Sequence, residues 1–232
     1  MYRRSALLYD LMHPDLDYGT ATARLRQVVD RGRPGARTLL DVACGTGRHV
    51  ERLRDHYGVE GLDINAEMLD TARKRCPDVV FHEADMRSFA LGRRFDVVTC
   101  LFGSLGYVQS YAELAATIRN LRDHVESPGL VLVEPWLSPD TYRVGPLTTH
   151  TAEVDDTTVA WMYNAAIEDD RSIFDIHHLV GNRAGVEHFV ERHSLALFST
   201  AQYAQAFLDA DLEPHADPHG FFGYGLVTAQ VG

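Results

Sequence analysis

Thr38-Leu39-Leu40-Asp41-Val42-Ala43-Cys44-Gly45-Thr46-Gly47 is the stretch from which the fold can be read. Its first six residues form a short apolar run, and the glycines lead into a segment with His49, Val50, Leu53 and Arg54 at helical spacing. A strand, a glycine loop and a helix are expected in that order.

Outward from this unit the same rhythm repeats. Val59 to Leu62 reads as strand, Ala66 to Cys76 as helix, Val79 to His82 and Phe95 to Leu101 as strands, and Ala112 to Val125 as helix. Pro128-Gly129 then turns the chain into Leu130-Val131-Leu132-Val133-Glu134, a continuous apolar run suited to the centre of a parallel sheet. Upstream, Ala21 to Asp30 reads as a helix stopped by Gly32 to Gly35. Alternation of this kind predicts an α/β fold with a doubly wound, mostly parallel sheet.

After Pro135 the rhythm changes. Thr157 to Ala166, Ser172 to Val180 and Val186 to Leu197 read as strands with no helix between them. They predict an antiparallel three-stranded flap, followed by a helix at Thr200 to Ala210 and a returning strand at Gly225 to Gln230. The 232 residues suit one domain, with 1–35 as a helical lid and 137–198 as the substrate-side insertion.

A formal charge of -11 gives a field that repels phosphate backbones, so nucleic acid is not an expected partner. No apolar run reaches the ~20 residues that span a bilayer, which points away from the membrane and to the cytoplasm. Cys44, Cys76 and Cys100 lack CxxC spacing and the twelve histidines lack HExxH, so no metal is expected.

Gly45-Thr46-Gly47 falls at the carboxyl end of the first strand, where doubly wound sheets bind ligands. A dinucleotide fingerprint would place a small residue three positions after Gly47, but Val50 stands there, which disfavours nicotinamide. Asp63 ends the second strand and can accept from both hydroxyls of an adenosyl ribose. Asp85-Met86 follows the third, where the acid can accept from an adenine amino group while the thioether packs on the ring. Each acid alone has a plain reading as a turn or cap residue. Their succession at the ends of neighbouring strands, beside a glycine loop, points to adenosine.

These residues resemble the first motif of the class I S-adenosylmethionine-dependent methyltransferases, which implies that the sheet is Rossmann-like and seven-stranded. The resemblance implies that Ala43, Gly45 and Gly47 line the methionine part of S-adenosyl-L-methionine, that Asp63 holds the ribose, and that Asp85 and Met86 meet the adenine. Leu101 and Phe102 follow the fourth strand, and Tyr9 lies in the lid. S-adenosyl-L-homocysteine is the implied product.

Within that class the chain is similar to N,N-dimethyltransferases of nucleotide-linked amino sugars, such as the desosamine and mycaminose precursors. Tyr9-Asp10-Leu11, Asp85 to Phe89, Gly106-Tyr107, Val133 to Trp136 and His193 to Phe198 carry this likeness. It implies a TDP-linked deoxy amino sugar as substrate, in antibiotic biosynthesis, and a homodimer. Tyr107 and His193 are the catalytic candidates, since a phenol can orient an amine and His193 matches the family. Tyr2, Glu134, Trp136, His177, Arg143 and Tyr224 are candidates to bind substrate. Phe221-Phe222-Gly223-Tyr224-Gly225 departs from the family's Pro-Ser-Gly-Arg-Gly run, removing an arginine and leaving open a changed sugar or carrier. A free amine, amino acid or hydroxylated natural product as acceptor, and a non-catalytic cofactor-binding module, are the alternatives.

Overall fold

The computed structural model describes residues 6–13 and 16–232, so Tyr2 lies outside the described residues. A 3-10 turn runs into α1 (Tyr9–Met12) and α2 (Tyr18–Gly32), the latter capped by Asp17, whose carboxylate accepts from Thr20 N. The decisive segment then forms β1 (Thr38–Val42) and α3 (Arg48–Leu53). Next come β2 (Gly58–Asp63), α4 (Ala66–Arg75), β3 (Val80–Glu83) and β4 (Phe95–Cys100). A 3-10 turn at Ser104–Tyr107 leads to α5 (Tyr111–Asp123) and β5 (Val125–Val133).

Period-two burial explains why these strands are central. Leu39, Val97, Leu130 and Leu132 pack with the inner faces of α2, α3 and α4, through residues such as Leu25, Val50 and Leu69. Their neighbours Leu40, Val98, Val131 and Val133 point the other way, toward Leu114, Ile118 and Leu121 of α5. Both faces of the sheet are therefore covered, as parallel sheets require.

The chain leaves this sheet after β5 and builds β6 (Thr148–Val154), β7 (Thr157–Tyr163), β8 (Ala165–Glu168), β9 (Arg171–Asn182) and β10 (Gly185–Ala196). All pair antiparallel, in the order β10-β9-β7-β6, with β8 also on β9. The flap thus has five strands, not three. β6 carries no sequence signal, because most of its residues are exposed and polar and show no apolar alternation. The expected single strand from Thr157 to Ala166 breaks at Asn164 into β7 and β8.

Through α6 (Thr200–Leu208), β11 (His215–Asp217) and β12 (Leu226–Val231) the chain returns to the first sheet. Ser199 and Gln202 form a reciprocal capping box at the start of α6. The seven-stranded sheet has the order β11-β12-β5-β4-β1-β2-β3, with β12 antiparallel to β5 and β11 antiparallel to β12. The carboxyl ends of β1, β2, β3 and β4 thereby face one edge, beneath the flap. Among the described residues, no helix is long and apolar enough to cross a membrane.

Candidate functional site

A cavity of about 780 Å³ lies at that edge. Its floor is the turn after β1, where the backbone takes positive φ at Ala43 (58°), Gly45 (55°) and Gly47 (77°). For Ala43 this is a costly conformation, of the kind that surrounding structure must hold in place. Asp63 supplies part of that hold. Gly45 N donates to its Oδ2 at 2.8 Å and Asn65 N to its Oδ1 at 2.9 Å. Each carboxylate oxygen retains a lone pair, and Asp63 borders the cavity. A Cβ built on Gly45 would meet no protein atom within 4 Å, so the space above it is open.

Asp85 and Met86 also border the cavity. The Arg87 guanidinium beside Asp85 holds its carboxyl below the usual range and bridges onward to Glu113. Leu101, Phe102 and Tyr9 border the cavity too. Ala43, Gly45, Asp63, Asp85 and Met86 thus come together as the sequence suggested. Gly47 does not reach the cavity. A Cβ there would stand 3.1 Å from that of Ala72, so Gly47 instead lets α4 pack against the turn.

The other end is aromatic. Trp136 and Tyr224 are tilted by 30° to each other, at 5.4 Å between ring centroids, and both face the cavity. The Trp136 indole N–H donates to Ser172 Oγ on β9 at 3.0 Å, which ties this wall to the flap. Tyr107 opens onto the same space, and its hydroxyl lies 3.0 Å from His193 Nδ1 on β10. His193 itself is 2% exposed and stands behind Tyr107 rather than on the cavity wall. Burial pushes its pKa down to about 4, so the imidazole is neutral near neutral pH. Arg143 is at the flap side of the cavity, with Nη1 donating to Tyr142 O.

Two substrate candidates do not face the cavity. Glu134 is fully buried and accepts from the backbone N–H groups of Phe102, Phe221 and Phe222 at 2.8 to 3.1 Å, so it braces the loops that carry the aromatic wall. His177 is on the outer face of the flap, with Nδ1 3.2 Å from His188 Nε2, because strand alternation turns Phe174 and Ile176 inward.

Other residues emerge only in three dimensions. Asp10 accepts from Thr46 Oγ1 at 2.7 Å and pairs with Arg75, fastening α1 to the glycine turn. Leu8, Leu11 and Met12 pack against Val159, Trp161 and Ile176, so the same segment is also fastened to the flap. It roofs the cavity, as Tyr9, Met12 and His13 border it. Arg48 and His49, at the start of α3, border it as well. Among the described residues, no group of three His, Cys, Asp or Glu side chains is placed to hold a metal.

Fold and site together define a class I S-adenosylmethionine-dependent methyltransferase, and residues 39–129 match the methyltransferase domain family. A Streptomyces fradiae dTDP-3-amino-3,6-dideoxy-alpha-D-glucopyranose N,N-dimethyltransferase is 43% identical, the alignment covering 98% of this chain and 91% of the relative. The crystal structure of Streptomyces venezuelae DesVI superposes with a TM-score of 0.90 at 37% identity, covering 97% of both chains. SAM-bound CalS10, an amino pentose methyltransferase from Micromonospora echinaspora involved in calicheamicin biosynthesis, gives 0.86 at 31% identity over 96% of each chain. The chain belongs to the family of S-adenosylmethionine-dependent methyltransferases, sugar N,N-dimethyltransferases among them, that these relatives represent.

Proposed function

We propose that this enzyme N,N-dimethylates the amino group of a dTDP-linked deoxy amino sugar in natural-product biosynthesis. The observation that carries this reading is that Tyr107, hydrogen-bonded to His193 from the flap, opens onto the same cavity as Asp63 and Asp85. An acceptor group can therefore sit against the cofactor site without crossing a wall. The names of the S. fradiae and M. echinaspora relatives support an amino sugar as acceptor.

Asp63 holds the ribose hydroxyls, Asp85 and Met86 the adenine, and Ala43 and Gly45 leave room for the methionine portion. Bound there, S-adenosylmethionine supplies an electrophilic methyl group. What remains for the protein is to present a neutral amine with its lone pair forward, and such positioning is worth about 7 to 11 kcal/mol in oriented systems.

Neutral His193 has two tautomers, and the one with Nδ1 unprotonated suits the reaction. With Nδ1 unprotonated, the phenol donates its proton to His193 and turns only lone pairs toward the cavity, so it accepts an N–H from the amine. The opposite tautomer would aim the phenol proton at the amine nitrogen and block it. Trp136 and Tyr224 offer an aromatic wall to the sugar, and Arg143 a cation to the diphosphate. The reading includes a cytoplasmic homodimer joined through the outer flap face, where Met162, Leu179 and Val190 are exposed.

Tyr107→Phe is expected to lower kcat about 10- to 30-fold, the worth of one hydrogen bond, while the affinity for S-adenosylhomocysteine stays within twofold. Steady-state kinetics with calorimetry separates the two effects. In the wild type, kcat/KM should rise with pH until the acceptor amine is deprotonated. No break should occur near 6.5, because His193 does not titrate there.

The decisive experiment is mass spectrometry of reactions containing S-adenosylmethionine and a panel of dTDP-amino sugars, free amino sugars and simple amines. Gains of one and two methyl masses on a dTDP-amino sugar are expected. Methylation confined to unlinked compounds would overturn the sugar-nucleotide reading while keeping the cofactor.

A further inference from the structure

Three arginines border the cavity, and their commitments differ. Arg87 is paired with Asp85 and Glu113. Arg143 lies on the flap side, exposed, and donates to the carbonyl of Tyr142. Arg48 directly follows the glycine turn and forms no ion pair with the described residues, and its Nε is buried without a hydrogen-bond partner among them.

The surroundings of Arg48 show the same incompleteness. Its guanidinium carbon sits 5.0 Å from the centre of the Tyr18 ring, which fixes it over an aromatic face. Beside it, His49 is 7% exposed and borders the cavity, yet neither ring nitrogen has a hydrogen-bond partner among the described residues. Tyr18 and Phe222 enclose that imidazole at 5.0 and 5.8 Å. Buried donors without partners are costly, and a ligand that satisfies them removes the cost.

We infer that Arg48, assisted by a ring N–H of His49, is the anchor for the α-carboxylate of the cofactor's methionine portion. The chemistry selects this ligand group: with Asp63 and Asp85 assigned to the adenosine, the remaining anionic end of the cofactor requires a cation near the glycine turn, and Arg48 is that cation. Burial keeps His49 neutral, pushing its pKa down to about 4, so it donates one N–H without adding charge. In an enclosure of aromatic rings a charge-assisted hydrogen bond is stronger than in water.

This inference rests on the cofactor assignment, and two ligands separate them. S-adenosylhomocysteine carries the carboxylate; 5′-methylthioadenosine keeps the adenosyl thioether and lacks the amino acid end. Calorimetric titration of wild type and Arg48→Met is expected to show S-adenosylhomocysteine weakened about 10- to 100-fold, with 5′-methylthioadenosine unchanged within threefold. Arg48→Lys should recover part of the loss. Equal losses for both ligands would mean that Arg48 only shapes the pocket, and no loss for either would mean that it does not touch the carboxylate; each result overturns the inference. Failure of the wild type to bind S-adenosylhomocysteine would remove the cofactor assignment itself.

Discussion

Glu134→Ala is expected to lower the unfolding free energy by about 3 to 5 kcal/mol, measured as a reduced urea midpoint at unchanged slope. The wild-type carboxylate is fully buried and accepts from the N–H groups of Phe102, Phe221 and Phe222. Alanine leaves three backbone donors without a partner, at about 1 to 3 kcal/mol for each buried group that water cannot reach. A domain of this size has about 5 to 15 kcal/mol to lose, so much of its margin would go. Glu134→Gln separates bracing from simple burial. It keeps one acceptor oxygen but turns an amide toward a donor, so it should fold with an intermediate loss. A loss below 1 kcal/mol for the alanine variant would show that the loops hold without this residue.

For the cofactor, Asp63→Ala should be the most damaging single change, weakening S-adenosylhomocysteine at least a hundredfold, or about 3 kcal/mol. Two losses combine. The ribose hydroxyls lose a charged acceptor, and Gly45 N and Asn65 N lose the oxygens that pin the turn. The turn holds a non-glycine residue, Ala43, at φ 58°, so it is expected to relax once unpinned. Asp63→Asn retains the shape with one acceptor fewer and should fall between. Calorimetry, with circular dichroism to confirm folding, checks this; a change under threefold would sink the assignment of Asp63.

How far the sequence revealed all this depends on distance along the chain. Strands β1 to β5 and the acids at their ends are local signals, each a short apolar run closed by a turn residue, and they were legible. β6 was not, since its exposed, polar residues give no pattern. For Glu134 the sequence leaves two roles open, because a strand-end acid looks the same whether it faces a cleft or holds a loop 87 residues away. His193 was found by family likeness, but its partnership with Tyr107, 86 residues distant, needed the flap to be in place. Arg48 had no signal in the sequence beyond its position; only the missing partner of its Nε sets it apart.

The roof formed by α1 bears on how two methylations follow one another. Each round spends one cofactor, so the spent molecule must leave before the second can begin. The segment over the cofactor is fastened at Asp10 to the glycine turn and, through Leu8, Leu11 and Met12, to the flap that covers the acceptor. Releasing it for exchange therefore loosens the grip on the half-finished sugar. On the proposed dimethylation, cofactor exchange and retention of the intermediate would compete through one set of contacts. A monomethylated product is therefore expected to build up early in the reaction, and mass spectrometry of early time points checks this.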